Sequence, residues 1–212
     1  MSVTRRGFTL GLAAGALPAR AQPIRRVLFI GNSFLRDHDV PQQTARRATA
    51  EGKPLDLHVI VRPGARLAGH WGGKIVMETV RWGWEVVVLQ DHSLEGLIPE
   101  RAQQSASAVR QFAGVLAGTA VVLVVPWSRK AGHQLFTRPG MPEDPEEMTE
   151  RNTRHYASIA AETGAYIAPV ATAWAGAIAS GATLHGPDGY HANPEGAALT
   201  ADVIWRTLDP LL

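Results

Sequence analysis

The sequence predicts a three-layer α/β/α domain built on a parallel sheet of five strands. Short apolar runs recur along the chain without polar alternation, which is typical of strands buried on both faces of a parallel sheet. Segments of helical length separate these runs, as βαβ units with right-handed crossovers require. About 190 residues remain after the export signal described below, a length that favours one domain with one sizeable core.

Five segments are predicted as strands and five as helices. The strands are expected at residues 26–30, 55–61, 86–89, 120–125 and 165–168. The helices are expected at residues 41–51, 74–82, 99–117, 144–163 and 195–208. Residues 128–145, rich in glycine and proline, interrupt this alternation after the fourth strand. They are interpreted either as a lid or wall of a substrate site or as a mobile surface loop.

The first 21 residues have the pattern of a twin-arginine export signal. Arg5 and Arg6 precede an apolar run at residues 10–17, and residues 19–21 offer a small-x-small cleavage site. We therefore interpret residues 1–21 as a signal peptide and residues 22–212 as the mature domain, exported to a periplasm or beyond. The alternative is a frayed basic N-terminus, but the order of charge, apolar run and cleavage site favours the signal.

Charge and composition exclude several classes of function. The whole chain has 21 Lys and Arg against 19 Asp and Glu; without the three arginines of the signal the balance is 18 minus 19, or −1. No basic cluster with interleaved aromatic residues remains, so nucleic-acid binding is not supported. The chain has no cysteine, which excludes disulfides and thiolate catalysis. No apolar segment reaches the ~20 residues of a membrane span.

The chain contains the three residue types of a nucleophilic triad, one after the first predicted strand and two near the C-terminus. Ser33 follows the first predicted strand on a glycine turn, and Asp188 and His191 lie close to the C-terminus. A serine nucleophile, a histidine base and an orienting aspartate together serve acyl transfer. Each residue also has a simpler explanation, since serine caps helices, Asp188 precedes a turn glycine and His191 is compatible with an ordinary surface position. Their combination favours catalysis.

Further polar residues follow the other strands and would meet at the same edge of the sheet. The backbone N–H groups of Ser33 and Gly64 and the side-chain amide of Gln90 are predicted to form an oxyanion hole. Gln90 would otherwise satisfy backbone groups at the strand end. Trp127 and His92, after the fourth and third strands, are candidates for substrate contact, with core packing and an exposed loop as their respective alternatives.

These residues resemble the conserved blocks of the SGNH (GDSL-like) hydrolase superfamily over nearly all of the mature chain. Residues 30–34, Ile-Gly-Asn-Ser-Phe, resemble the first block; Gly64 resembles the glycine of the second; residues 188–196 resemble the last. The resemblance implies a flavodoxin-like α/β/α fold and hydrolysis of esters, thioesters or carbohydrate O-acetyl groups without a cofactor. The chain departs from it in having Gly-Asn-Ser for Gly-Asp-Ser and Leu-Gln at Gln90 for Gly-x-Asn-Asp.

The sequence as a whole predicts an exported serine esterase acting on a small ester or a carbohydrate O-acetyl group. A thioesterase or lysophospholipase would use the same triad, and a non-catalytic protein that binds a glycan or peptide in an old hydrolase cleft is the alternative from another class. The histidines lack a His-x-x-x-His spacing, so no metal site is predicted, and the resemblance to SGNH hydrolases implies that no cofactor is needed. The expected partner is a small-molecule or glycan ester.

Overall fold

The computed structural model describes residues 24–212, which form a five-stranded sheet with all strands parallel and helices on both faces. This confirms the predicted three-layer architecture. The strands are β1 Arg25–Gly31, β2 Leu55–Val61, β3 Val86–Leu89, β4 Ala120–Val124 and β5 Tyr166–Ala168. The predicted signal peptide lies outside the described residues. Within the described part of the chain, no helix is long and apolar enough to cross a membrane.

Eight α-helices occur among residues 24–212. They are α1 Ser33–Arg36, α2 Val40–Ala50, α3 Leu67–His70, α4 Lys74–Thr79, α5 Pro99–Val115, α6 Pro145–Thr163, α7 Val170–Ala179 and α8 Pro194–Leu208. Three short 3-10 turns lie at Asp37–Asp39, Gln134–Thr137 and Asp209–Leu211. The sequence did not predict α7 or the single-turn helices α1 and α3.

Side-chain caps explain where the two long C-terminal helices begin. The Asp144 carboxylate accepts a hydrogen bond from the N–H of Glu147 at 2.8 Å, at the start of α6. The Asn193 side chain accepts one from the N–H of Gly196 at 2.8 Å, at the start of α8. Both helices also have proline in their first turn, where its missing N–H costs nothing. Such a cap is worth about 1 kcal/mol.

Strand β1 divides the hydrophobic core into two halves. Val27 and Phe29 point to one face, where they pack with residues of α2, α7 and α8. Leu28 and Ile30 point to the other face, where they pack with residues of α3, α4, α5 and α6. All four side chains are fully buried. A strand covered on both faces must be apolar at every position, which is why β1 reads as an uninterrupted apolar run.

The order of the strands places a cleft beside β1. The sheet runs β2-β1-β3-β4-β5, so the chain moves outward in one direction from β1 to β2 and in the other from β3 onward. Open parallel sheets bind ligands at the carboxyl ends of the strands on either side of such a reversal. Here that position lies between the ends of β1 and β3, at Gly31 and Leu89.

Candidate active site

The turn after β1 holds Ser33 in place through Asn32. Asn32 is 3% exposed, and its side chain accepts a hydrogen bond from the N–H of Phe34 at 3.1 Å and donates one to the carbonyl of Ala65 at 3.0 Å. The buried His70 donates from Nε2 to the carbonyl of Gly31 at 2.8 Å. The turn is therefore fixed from two directions before the nucleophile begins α1.

The Ser33, His191 and Asp188 side chains form a continuous hydrogen-bonded chain. Ser33 Oγ lies 2.9 Å from His191 Nε2, and His191 Nδ1 lies 2.7 Å from Asp188 Oδ2. The carboxylate is oriented by its other oxygen, which accepts hydrogen bonds from the N–H groups of Tyr190 and His191, both at 3.0 Å. Partial burial opposes ionisation of Asp188, but these hydrogen bonds outweigh it and lower its pKa to about 2. The imidazole therefore has a charged partner at neutral pH.

A tight turn brings Asp188 and His191 together. Gly189 has a φ of 72°, the left-handed region that favours glycine. Its carbonyl accepts a hydrogen bond from the N–H of Lys130 at 2.8 Å, and the carbonyl of Tyr190 accepts one from Trp127 Nε1 at 2.9 Å. The loop that holds the acid and the base is thus fastened to the segment that follows β4.

The 3-10 turn after α1 lies against the same loop. His38 and Asp39 have φ of 58° and 52°, left-handed values that are uncommon outside glycine and cost free energy. His38 Nε2 donates to the carbonyl of Ala192 at 3.1 Å, and Asp37 Oδ2 lies 3.9 Å from His191 Nε2. The turn therefore places a second carboxylate near the base.

A cavity of about 170 Å³ opens in front of Ser33. Its wall comes from the segments that follow the first four strands and from the loop before α8, as the sheet topology predicts. The lining residues are Asn32, Ser33, Phe34, Arg36, Pro63, Gly64, His92, Ser93, Arg129, Tyr190 and His191. Gly64, predicted as an oxyanion donor, has a φ of 66° in this wall, and no described residue accepts a hydrogen bond from its N–H or from that of Ser33.

The structure differs from the prediction for Gln90. Its side chain is 1% exposed and is not part of the cavity wall. Its Oε1 accepts a hydrogen bond from the N–H of Asn32 at 3.0 Å, and its Nε2 donates to the carbonyl of Asp91. Both polar atoms of the side chain therefore bond to backbone groups, of Asn32 and Asp91 respectively. Of the polar residues after β3, His92 and Ser93 line the cavity.

The two candidates for substrate contact are placed differently from one another. His92 lines the cavity, and burial together with the positive charges of Arg129, Arg101 and Arg66 lowers its pKa to about 4. His92 is therefore neutral near pH 7. Trp127 departs from its prediction, since it is 1% exposed and does not line the cavity.

Trp127 supports the site from the core. Its ring stacks between Phe34, at a centroid distance of 4.1 Å, and Trp174, at 4.2 Å. Phe34 in turn lies in the cavity wall beside Ser33. The large apolar ring after β4 is thus used as packing beneath the nucleophile, which is the alternative that its size also allowed.

Residues 128–145 contribute to the wall of this cavity only near the start of the segment. Leu135, in the 3-10 turn of this segment, is buried in a small cluster with Leu97 and Met148. Arg129 is the residue of the segment that lines the cavity. Sequence reasoning missed Arg129; its position two residues after Trp127, in the segment that follows β4, was the available signal.

Among the described residues, no group of three or more His, Cys, Asp or Glu side chains is arranged to hold a metal ion. The arrangement can instead transfer a proton from Ser33 to His191 in a cavity that admits a small substrate. It is the chemistry of a serine nucleophile with a positioned base.

Comparison with solved structures identifies the fold. A candidate SGNH hydrolase from Slackia heliotrinireducens matches 88% of this chain and all of its own, with a TM-score of 0.74 and 27% identity. The chain belongs to the SGNH hydrolase superfamily. No protein-family model and no curated protein matches its sequence.

Other solved structures share the SGNH fold at lower identity. The lipase/acylhydrolase from Enterococcus faecalis has a TM-score of 0.69 and 14% identity, over 88% of this chain and 96% of its own. An acetylxylan esterase from Geobacillus stearothermophilus, in a catalytic mutant, has a TM-score of 0.65 and 13% identity, over 87% of this chain and 94% of its own.

Proposed function

We propose that this protein is an exported serine esterase that hydrolyses small esters or the O-acetyl groups of carbohydrates. The observation that carries the proposal is the hydrogen-bonded chain from Ser33 through His191 to Asp188, with distances of 2.9 and 2.7 Å, at the mouth of a cavity. A protein that only binds a ligand has no need of all three groups in this geometry.

In the proposed reaction, Ser33 Oγ attacks the carbonyl carbon while its proton passes to His191 Nε2. Asp188 stabilises the imidazolium that forms. The C–O bond of the ester then breaks, and His191 returns the proton to the leaving alcohol. A water molecule, deprotonated by His191, attacks the acyl-enzyme and releases the acid, and the proton returns to Ser33.

The oxyanion of the tetrahedral intermediate would be held by the N–H groups of Ser33 and Gly64. Neither N–H has an acceptor among the described residues, and both residues lie in the cavity wall. We assign the third donor to the hydroxyl of Ser93, which also lies in the wall. Each such donor is typically worth ~3 kcal/mol of the barrier.

The size of the cavity favours a short acyl group. Its volume of about 170 Å³ lies below the roughly 300–1,000 Å³ of pockets that enclose drug-sized ligands. An acetyl ester should therefore be preferred over an octanoyl ester of the same alcohol when the two compete. A clear preference for octanoyl would favour the lysophospholipase or thioesterase interpretation instead.

Hydrolysis of p-nitrophenyl acetate by the full chain and by its Ser33→Ala variant tests the proposal. We expect the variant to lose at least 10³-fold in kcat/KM, because the nucleophile is gone. The Ser107→Ala variant, changed at an exposed position on α5, should keep full activity. Thermal unfolding checks that each variant is folded. Equal, near-background rates in the folded wild type and Ser33→Ala would instead favour the ligand-binding alternative.

The export part of the proposal rests on residues 1–21, with residues 22–212 as the mature domain. Changing both Arg5 and Arg6 to lysine should leave the protein in the cytoplasm, because the twin-arginine pair is the export signal. The mass of the exported wild type should correspond to a chain that begins at Gln22. An exported protein that keeps residues 1–21 would contradict the cleavage.

A further inference from the structure

Arg129 is a buried cation in the active-site cavity that forms no ion pair with a described residue. The residue is 7% exposed and lines the cavity together with Ser33 and His191. Its Nη1 is sealed from solvent and has no hydrogen-bond partner among the described residues. Arginines are almost never this buried unless they are paired. An arginine in this state therefore points to a partner that comes from outside the chain.

The guanidinium is held beside the base without the use of its N–H groups. Its central carbon lies 4.2 Å from the centroid of the Tyr190 ring, a cation–π contact. The Tyr190 ring in turn lies 3.9 Å from the His191 imidazole, centroid to centroid. Because Tyr190 and His191 both line the cavity, the guanidinium shares it with the triad, although Arg129 also borders a neighbouring cavity of about 230 Å³.

No ion pair with a described residue neutralises the charge of Arg129. Burial lowers the pKa of Arg129 to about 10, so the group keeps its charge at neutral pH. Among the described residues, no carboxylate lies within ion-pair distance of it, and Asp188 is already engaged by His191. The neighbouring His92 is neutral at this pH, so it neither repels nor balances the guanidinium. Asp188 favours the charged form of Arg129 through space but forms no ion pair with it, so the guanidinium N–H groups stay open to an anion in the cavity.

We propose that Arg129 binds a carboxylate of the substrate, and that the enzyme acts on short-acyl esters of hydroxy acids or acidic sugars. The planar fork of a guanidinium matches the two oxygens of a carboxylate, and such pairs are strong where water is excluded. The small cavity is suited to the acyl group, so the acid belongs to the alcohol part of the ester. The inference rests on the proposed esterase function.

The kinetic test uses 4-carboxyphenyl acetate and 4-carbamoylphenyl acetate, which match in size and differ in charge. With each rate divided by the rate of hydroxide-catalysed hydrolysis, the wild type should prefer the carboxylate at least tenfold in kcat/KM, mainly through KM. Arg129→Met should abolish that preference. Lys130→Met, at an exposed neighbouring residue, should keep it because an exposed ammonium is screened by solvent and salt.

The inference is overturned if the wild type has no preference, or if Arg129→Met slows both esters equally. Equal loss would mean that Arg129 supports the fold or the oxyanion. Thermal unfolding shows whether Arg129→Met is folded. If Arg129→Met does not fold, Arg129→Lys replaces it, since lysine keeps the charge but not the planar fork. The preference of this variant for the carboxylate ester should be smaller than that of the wild type but not lost. An unchanged preference would count against the inference.

A binding measurement separates this inference from the esterase proposal. Calorimetry on Ser33→Ala should give a Kd for 4-hydroxybenzoate at least tenfold below that for 4-hydroxybenzamide, and adding Arg129→Met should remove the difference. If the acid binds in this way but the wild type hydrolyses no ester, the esterase proposal fails and the inference stands. If both esters are hydrolysed at equal rates and the acid binds no better than the amide, the inference fails and the esterase stands.

Discussion

Asn32 shows why a neutral residue can precede the nucleophile in this chain. Its side chain accepts a hydrogen bond from the N–H of Phe34 and donates one to the carbonyl of Ala65. An aspartate could make the first bond but has no N–H for the second. At a position that is 3% exposed, it would also place a charge in the protein interior. The amide thus links the turns after β1 and β2.

The two polar residues after β3 should respond differently to substitution. Ser93→Ala is expected to lower kcat by about 10²-fold at unchanged stability, as for loss of one oxyanion donor. Gln90→Leu is expected to lower the free energy of unfolding by about 1–3 kcal/mol, because it leaves the buried N–H of Asn32 and carbonyl of Asp91 without partners. Urea unfolding and p-nitrophenyl acetate kinetics on both variants measure the two effects.

The same measurements would also show whether the roles assigned to Gln90 and Ser93 are wrong. If Gln90→Leu keeps wild-type stability but loses activity as Ser33→Ala does, the amide is an oxyanion donor, as the sequence alone predicted. A Ser93→Ala variant with full activity would remove Ser93 from the proposed oxyanion hole.

The loop between α7 and α8 is held by close packing around Gly196. A Cβ at Gly196 would lie 2.7 Å from the Trp174 ring and would overlap the carbonyl of Leu184. That carbonyl accepts a hydrogen bond from the N–H of Asn193 at 2.8 Å, so it cannot move without disturbing the loop that bears Asp188 and His191. The glycine in the last conserved block is therefore required by packing.

Two glycine-to-alanine changes in neighbouring helices should have opposite effects. Gly196→Ala is expected to lower the free energy of unfolding by about 1–3 kcal/mol through overpacking, and to reduce activity as well. Gly176→Ala, inside α7 with nothing within 4 Å of the added Cβ, is expected to raise it by about 0.5–1 kcal/mol. Chemical denaturation measures both. A neutral Gly196→Ala would show that the loop adjusts without cost.

Helix α7 was missed because its sequence has no amphipathic pattern. Residues 170–179 consist almost wholly of alanine, glycine and large apolar side chains, with Thr172 as the polar exception. Without polar residues at regular intervals, the helical period cannot be recognised. The helix contacts both α6 and α8, so tertiary packing determines its position.

The free energy of unfolding of the whole domain should depend on pH through Glu95. Its side chain is fully buried against Arg66, with N–O distances of 2.8 and 2.6 Å, and burial raises its pKa to about 7 against the opposing effect of Arg66. A raised pKa contributes stability that is full below the unfolded value of 4.5 and is lost as pH rises through 7. We expect wild type to lose up to a few kcal/mol from this group between pH 5 and pH 8.

His92 requires a control, because its pKa is lowered to about 4 and its contribution is lost as pH falls from 6.5. The difference in free energy of unfolding between wild type and Glu95→Gln, taken at each pH, isolates Glu95. That difference should favour wild type more at pH 5 than at pH 8. Glu162→Gln, an exposed partner of Arg110, should show no such trend. A difference that does not vary with pH would contradict the raised pKa.

The sequence by itself determined the layers of this molecule and the edge of the sheet at which the candidate site lies. Continuous apolar runs define buried parallel strands, and the carboxyl ends of such strands necessarily meet at one edge, where Ser33 and Gly64 line the same cavity. These features depend on local pattern and on topology, both of which are read along the chain.

Only the tertiary structure decided which side chains turn into the cavity. After β3 the chain offers several polar residues in a row, and packing against the turn at Asn32 buries Gln90 while Ser93 reaches the wall. After β4, stacking with Phe34 and Trp174 draws Trp127 into the core, whereas Arg129 faces the cavity. Side-chain direction in an irregular segment follows from contacts with residues distant in sequence, and no local pattern encodes it.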